Sequence, residues 1–400
     1  MSSGSRHKWV FRSRFRRNAF GWRSQPAIKR VNEAVAEIQD AFLTDPVLGA
    51  EGAVLFLEKV SGALAGVDSS SGSMGATVDW AVGSLVFLIV DAPVDDQVRD
   101  KWMQRLWRAV QEDAVPYIER LPQFWGELCV TRERASAWAD EFKAVLLTVW
   151  GEDWKRHGYF KGTLACFSAL FKAERYSEIM DLLEKAPYKS WDQRRWGIKT
   201  LIAMGDKAGA LRFAESSRAR NTADWIVDQA CEEILLSSGM AEEAYKRYAF
   251  SANEKRTYLA IFRAIVKKYP HREPADILDD LVANSPGKEG KWFAAAKSAR
   301  FYDKAINLAR RSPCDPKTLT RAARDMAETR PLFATEAGLA ALHWILRGYG
   351  YEITSSDVLS AFDYTVRAAK NADRLPETTR KIREMVEANG SGVLAVLARE

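Results

Sequence analysis

Only four cysteines stand in the 400 residues, and Cys129, Cys166, Cys231 and Cys314 are far apart with no Cys-x-x-Cys pair. With no secretory leader in view either, the pattern argues for free thiols in a reducing compartment. Histidine is as scarce: His7, His157, His271 and His343 are scattered, and the one pair at helical spacing, Asp153 and His157, reads as a surface ion pair before it reads as a metal half-site. His-Glu-x-x-His, Gly-x-Ser-x-Gly and Gly-x-Gly-x-x-Gly spacings are missing, so nothing selects a substrate, a cofactor or a metal. Long apolar runs are missing too. The most apolar stretch, residues 81–90 (AVGSLVFLIV), is shorter than the ~20 residues a bilayer span needs; its length admits a buried helix or a strand, and the neighbouring helical patterns favour the helix. No stretch alternates apolar and polar residues for long, which leaves almost no sheet to expect.

What is present is an internal repeat. Marking one inter-helix turn per unit at Glu174, Gly205, Gly239, Pro270, Arg300 and Arg330 gives spacings of 31, 34, 31, 30 and 30 residues. A period of this size signals stacked helical pairs, because no single pair buries its own apolar face. Four residues before each marker stand Leu170, Leu201, Leu235, Val266, Ala296 and Met326; eight before stand Cys166, Gly197, Cys231, Phe262, Trp292 and Ala322. Five after it come the mostly small Ile179, Ala210, Ala244, Ala275, Ala305 and Thr335, which lets two backbones approach at a helix crossing. The expected fold is all-α: an α-solenoid of degenerate helix-turn-helix repeats, TPR- or HEAT-like, over residues 156–347. It follows a basic aromatic arm (1–27) and an N-terminal helical module (28–155), and ends in a helical cap (348–400).

Charge is unevenly placed. Lys and Arg number 59 against 53 Asp and Glu, a net charge of +6. Residues 1–30 alone hold nine basic residues (Arg6, Lys8, Arg12, Arg14, Arg16, Arg17, Arg23, Lys29, Arg30) and no acid, so the rest of the chain carries a net −3. Trp9, Phe11, Phe15, Phe20 and Trp22 are interleaved with these cations. Arg12, Arg14, Arg16, Arg17, Trp22 and Arg23 are thus the candidate contacts to a polyanion, with rings able to stack on bases. The plainer alternative is that the rings anchor the arm to the body and leave the arginines in solvent. An Arg-rich start without acids also resembles an organellar presequence.

Basic and aromatic residues recur in the links between repeats: Arg156, Tyr159, Phe160 and Lys161; Lys189, Trp191, Arg194, Arg195 and Trp196; Arg218, Arg220 and Trp225; Lys255, Arg256 and Tyr258; Lys288, Lys291 and Trp292. If the links stack, Lys189, Trp191, Arg194, Arg195, Lys288, Lys291 and Trp292 form a candidate edge for an acidic peptide or a nucleic-acid strand. The competing reading packs these aromatics inward. A loop of Asp68, Ser69, Ser70, Ser71 and Gly72 precedes an apolar helix and is a weak candidate anion cradle; it lacks the P-loop lysine, and Asp68 would repel a phosphate.

Elsewhere the patterns are helical. Ile28, Val31, Val35, Ile38 and Phe42 recur at three- and four-residue steps, Asp45-Pro46 reads as a cap and first-turn proline, and further helices are expected at 98–112, 116–121 and 134–150. Thr354 or Ser355 caps a helix bearing Val358, Leu359, Phe362 and Val366, and a last helix covers 377–388. An apolar tail follows, with Val393, Leu394, Val396 and Leu397. The run Phe20-Gly21-Trp22-Arg23 through Val31 to Ile38, then Phe56-Leu57-Glu58 to Val67 and the Asp68–Gly72 loop, and on to Leu106-Trp107, resembles a bacterial helical-repeat family of unknown function, some of whose members sit beside SWIM-type zinc-binding segments. The resemblance implies a bacterial, soluble, all-α protein and supplies no catalytic residues. The closely spaced Cys and His of a SWIM segment are missing here, so zinc does not carry over. The function expected is that of a cytoplasmic, non-enzymatic scaffold for protein–protein interaction, without cofactor or membrane. The alternative is nucleic-acid binding through the arm and the basic-aromatic edge.

Overall fold

The computed structural model describes residues 7–151, 159–218, 222–255 and 257–389. Among them every regular element is helical and no strand occurs. The chain divides into two compact units, Met1–Thr222 and Ala223–Glu400, so the division falls inside the stretch that the sequence presents as one series of repeats.

Unit 1 opens with a one-turn helix α1 (Val10–Arg14) and three long helices, α2 (Ser24–Thr44), α3 (Pro46–Leu64) and α4 (Ser73–Asp91). The apolar steps in α2 place Ala27, Val31, Ala34, Val35 and Ile38 on one buried face, which packs against α3 and α4. Asp45 separates α2 from α3, its carboxylate accepting from the backbone N–H of Val47 (3.1 Å) and Leu48 (3.0 Å), and Pro46 occupies the first helical position, where no N–H is needed. The hairpin closes tightly because Gly49 has no side chain: a Cβ there would lie 2.5 Å from the Phe42 backbone.

The apolar run 81–90 is indeed helical, but its helix is longer than the run. Met74, Ala76, Val78 and Trp80 extend it, and by length and composition alone α4 is able to cross a membrane, which corrects the expectation that no segment reaches that length. In the fold its side chains Met74, Val78, Ala81, Val82, Leu85, Val86 and Ile89 are buried within unit 1. Its carboxyl end is capped by the buried Arg99, which donates to the carbonyls of Ile89, Val90 and Ala92; a cation is stabilising at that negative pole.

Arg99 belongs to α5 (Asp96–Glu112). The expected helix at 116–121 does not form. The Asp113 carboxylate accepts from the backbone N–H of Tyr117 (3.3 Å) and Ile118 (2.9 Å) and holds this segment in turns, until a 3₁₀ turn at Leu121–Phe124 leads into α6 (Trp125–Cys129) and α7 (Arg132–Val149). Trp107, Trp125, Trp138 and Phe142 cluster there, the pairs with Trp125 edge to face and the others tilted, with ring centroids 4.8–5.7 Å apart. Helices α8 (Thr163–Lys172), α9 (Tyr176–Lys185), α10 (Trp191–Ala203) and α11 (Lys207–Glu215) complete unit 1.

Unit 2 contains α12 (Asp224–Ser237), α13 (Ala241–Ala252), α14 (Tyr258–Lys268), α15 (Pro274–Ala283), a 3₁₀ turn at Glu289–Trp292 running into α16 (Phe293–Ser298), α17 (Tyr302–Arg311), α18 (Pro316–Met326), α19 (Pro331–Leu346), α20 (Ser355–Asn371) and α21 (Leu375–Asn389). Of the two caps expected, Thr354 serves, and it forms a reciprocal capping box with Asp357 at the start of α20. The apolar tail 393–397 lies outside the described residues, as do Arg6, Asp153, Arg156, His157, Arg220 and Arg256.

Four of the six turn markers share one backbone solution. Glu174, Gly205, Gly239 and Arg300 have φ of 58°, 83°, 74° and 64°. In each case the next N–H reaches back to the carbonyl five residues earlier: Arg175 to Leu170, Asp206 to Leu201, Met240 to Leu235, Phe301 to Ala296. This left-handed closure ends one helix and turns the chain into the next. Pro270 and Arg330 depart from it: the ring of Pro270 fixes a negative φ and bars the left-handed conformation, and α15 starts only at Pro274, while Arg330 sits with extended φ just ahead of α19.

The row eight residues before the markers (Cys166, Gly197, Cys231, Phe262, Trp292, Ala322) is buried throughout. Within each unit a helix packs on its hairpin partner and also on the helix two places along, α8 with α10 in unit 1, and α14 with α16, α17 with α19 and α18 with α20 in unit 2.

Candidate functional site

The arm lies on unit 1 through its rings. Trp9, Phe11, Phe15 and Phe20 are buried, Phe11 and Phe15 meeting Phe56 of α3 with centroids 6.1 and 5.3 Å away. Glu37 of α2 accepts from the backbone N–H of Val10 (2.6 Å) and Phe11 (3.0 Å), so a carboxylate satisfies the first turn of α1. The expectation that these rings could stack on bases is corrected for all but Trp22, which is 68% exposed. Arg12, Arg14, Arg16, Arg17 and Arg23 are exposed; Arg14 pairs with Glu33 at 3.3 Å, and Arg23 lies over the Trp22 ring.

Two candidate sites that are distant in sequence meet here. The Asp68 N–H donates to the Trp22 carbonyl at 2.8 Å, which brings the Ser-rich loop beside Trp22 and Arg23. Within the loop Asp68 accepts from the Ser70 N–H at 2.9 Å, and these Ser70 hydrogen bonds, backbone first, hold its carboxyl below the ordinary value. Ser71 and Ser73 share a hydrogen bond, Gly72 precedes α4 with φ 70°, and Ser69, Ser70 and Ser71 are exposed. The loop is thus organised around its own ionised acid, an arrangement that disfavours a bound anion.

The link residues are mostly engaged inward. Lys161 Nζ donates to the carbonyls of Val110, Gln111 and Asp113 at 3.1, 3.0 and 2.6 Å. Arg194 bonds Ser217 (2.9 Å) and lies over Phe213, Arg195 donates to Gln123, Trp191 is half-buried and Trp196 is buried. Trp292 is also buried, its indole N–H donating to Ser285 at 2.6 Å, which corrects its place in an exposed edge: a large ring at the start of a first helix gains more by packing than by facing water. Lys189, Lys288 and Lys291 remain exposed, the first in unit 1 and the other two in unit 2.

Unit 2 holds a groove of about 1050 Å³ that the sequence does not reveal. Its walls are the first helices of three successive pairs, α14, α16 and α18, joined by the link carrying Tyr349 and Tyr351. Tyr258, Leu259 and Pro313 supply apolar surface over the buried Phe293, and Arg263, Lys291, Lys297 and Arg321 supply positive charge. The groove also contains Asp315, whose carboxylate caps α18, and Asp325, which is held by Arg324 at 2.8 Å. Cys314 borders it, buried, and burial pushes its thiol up to about 12, so it stays protonated and unreactive near neutral pH. Arg263 and Arg321 carried no sequence signal because each is an ordinary surface arginine of its own helix; only packing places them along one groove.

All four cysteines are buried, and among the described residues none forms a disulfide. Among the described residues no cluster of His, Cys, Asp and Glu is arranged to hold a metal ion. No family model, curated protein or solved structure matches the chain.

Proposed function

We propose that this chain is a non-enzymatic scaffold of degenerate TPR- or HEAT-like helical repeats that binds a segment of another protein. The observation that carries the reading is the unit 2 groove: three consecutive first helices present one largely apolar trough of about 1050 Å³, of a size that takes several residues of an extended chain. The shared left-handed turns and the packing of helices two places apart support the repeat reading within each unit. The N-terminal helices and the C-terminal α20 and α21 then serve as ends that cover the apolar faces of the terminal pairs.

The exposed arginines of the arm favour a second reading, polyanion binding, since Arg12, Arg16 and Arg17 face solvent and Trp22 is exposed as well. Affinity capture from the native host, with and without nuclease, separates the two. A protein recovered equally in both samples supports the scaffold. Material lost on nuclease treatment, together with a mobility shift that disappears as salt rises, favours the alternative.

A further inference from the structure

We infer that the unit 2 groove takes an extended acidic segment of its protein partner, with apolar side chains alternating with carboxylates. This rests on the scaffold reading and adds the chemistry of the occupant.

The argument is one of charge and of unused donors. Four cations face the groove against two carboxylates, and both carboxylates are already engaged. Asp315 accepts from the backbone N–H of Lys317 and Thr318 and from the Thr318 hydroxyl, and Asp325 is held by Arg324. Among the described residues Arg263, Lys291 and Lys297 have no ion pair, and Arg321 has only a long one, to Asp315. Arg263 gives one N–H to Ser298 Oγ at 3.0 Å. Arg321 gives one to Thr318 Oγ1 at 2.9 Å and stands 4.0 Å from Asp315. Lys291 lies over the Tyr258 ring. One hydrogen bond to a hydroxyl fixes a guanidinium while leaving most of its five donors for an incoming carboxylate, which Arg can grip with two parallel bonds.

Between these cations the surface is aromatic and aliphatic, with Tyr351 80% exposed and Tyr349 45% exposed. An extended peptide sends successive side chains to opposite sides, so acidic residues meet the groove's cations while apolar ones cover the half-buried Tyr258 and Leu259. A nucleic-acid strand fits less well, since its evenly spaced phosphates would meet Asp315 and Asp325, where a peptide can present neutral side chains.

The test uses the full chain and a fluorescein-labelled peptide of alternating Asp and Phe, about eight residues long, read by fluorescence anisotropy. Controls are the Asn/Phe analogue and a thymidine oligonucleotide. The acidic peptide should bind about tenfold more tightly than the Asn analogue, and the double variant Arg263→Glu, Arg321→Glu should weaken it about tenfold or more. Both arginines are exposed, so the variant should keep the wild-type circular dichroism; Lys297→Gln, a milder change, should give a smaller loss in the same direction. The inference fails if the acidic peptide does not bind, if the neutral analogue binds as well, if charge reversal leaves affinity unchanged, or if the oligonucleotide displaces the peptide at lower concentration. Should a partner be captured from the host yet survive the charge reversal, the acidic-groove inference falls while the scaffold stands.

Discussion

Arg175 grips Glu178 with two parallel bonds, Nε to Oε1 at 2.6 Å and Nη2 to Oε2 at 2.8 Å. The same guanidinium reaches Asp140 (2.7 Å) and Ser136 (3.0 Å) of α7, while the Arg175 N–H closes the left-handed turn after α8. One residue thus ends a helix, holds the first turn of the next and ties both to the helix before.

This grip gives a pH signature. The Arg175 hydrogen bonds, with Lys143 adding, depress the Glu178 carboxyl from 4.5 to about 2. A depressed carboxyl contributes stability that is full above its unfolded value and is lost as pH falls through the folded one. Glu178→Gln should therefore lower the unfolding free energy at pH 7 by about 1 kcal/mol, discounted because the pair is partly exposed. The gap between variant and wild type should close as pH falls from 4.5 towards 2. Urea unfolding at pH 7 and pH 3 checks it; a gap of constant size would refute the assignment.

Glu232 in unit 2 is a fully buried carboxylate that accepts from Asn253 Nδ2 (2.8 Å) and the Tyr269 hydroxyl (2.8 Å) and pairs with Lys268. Three helices or their ends meet on one acid. Glu232→Ala should cost about 3 kcal/mol, since it strands the partners of a buried charge, whereas the nearby exposed Glu233→Ala should stay within about 0.5 kcal/mol. Chemical denaturation of the two variants measures the contrast.

The left-handed turns make a paired prediction. No atom lies within 4 Å of a Cβ built on Gly205 or Gly239, so Gly→Ala at either position should destabilise through the backbone alone, by about 1–2 kcal/mol. Glu174→Gly and Arg300→Gly should cost less than those changes despite the loss of a side chain. Thermal melts of the four variants decide whether the turn conformation, rather than side-chain contact, sets the order.

These turns also show what was legible in the sequence. A helix that ends in Gly205 or Gly239 announces itself, and the repeat period then locates Glu174 and Arg300 although neither is glycine. Burial of the row that includes Cys166 and Ala322 follows from the same period. The 116–121 segment has a helical pattern but forms turns, because it is held by Asp113, a side chain outside the segment. The groove was not legible at all: Arg263, Lys297 and Arg321 have no common spacing, and their proximity comes from how α14, α16 and α18 pack. The arm was legible as a composition, but which of its residues face water depended on Phe56 and Glu37, partners far along the chain.

The arm's two residue types should separate cleanly. Phe11→Ala removes a buried anchor and should cost about 3 kcal/mol, while Arg16→Ala and Arg17→Ala, both exposed, should change stability by less than about 0.5 kcal/mol. If the Arg variants abolish capture of the host partner while leaving stability intact, the contact lies on the arm instead of the groove.

The most direct measurement is a cross-link map of the complex captured from the native host after nuclease treatment. The account predicts partner cross-links concentrated at Lys291 and Lys297, the two lysines of the groove. Cross-links confined to Lys8 and Lys29, or no protein surviving nuclease, would contradict it.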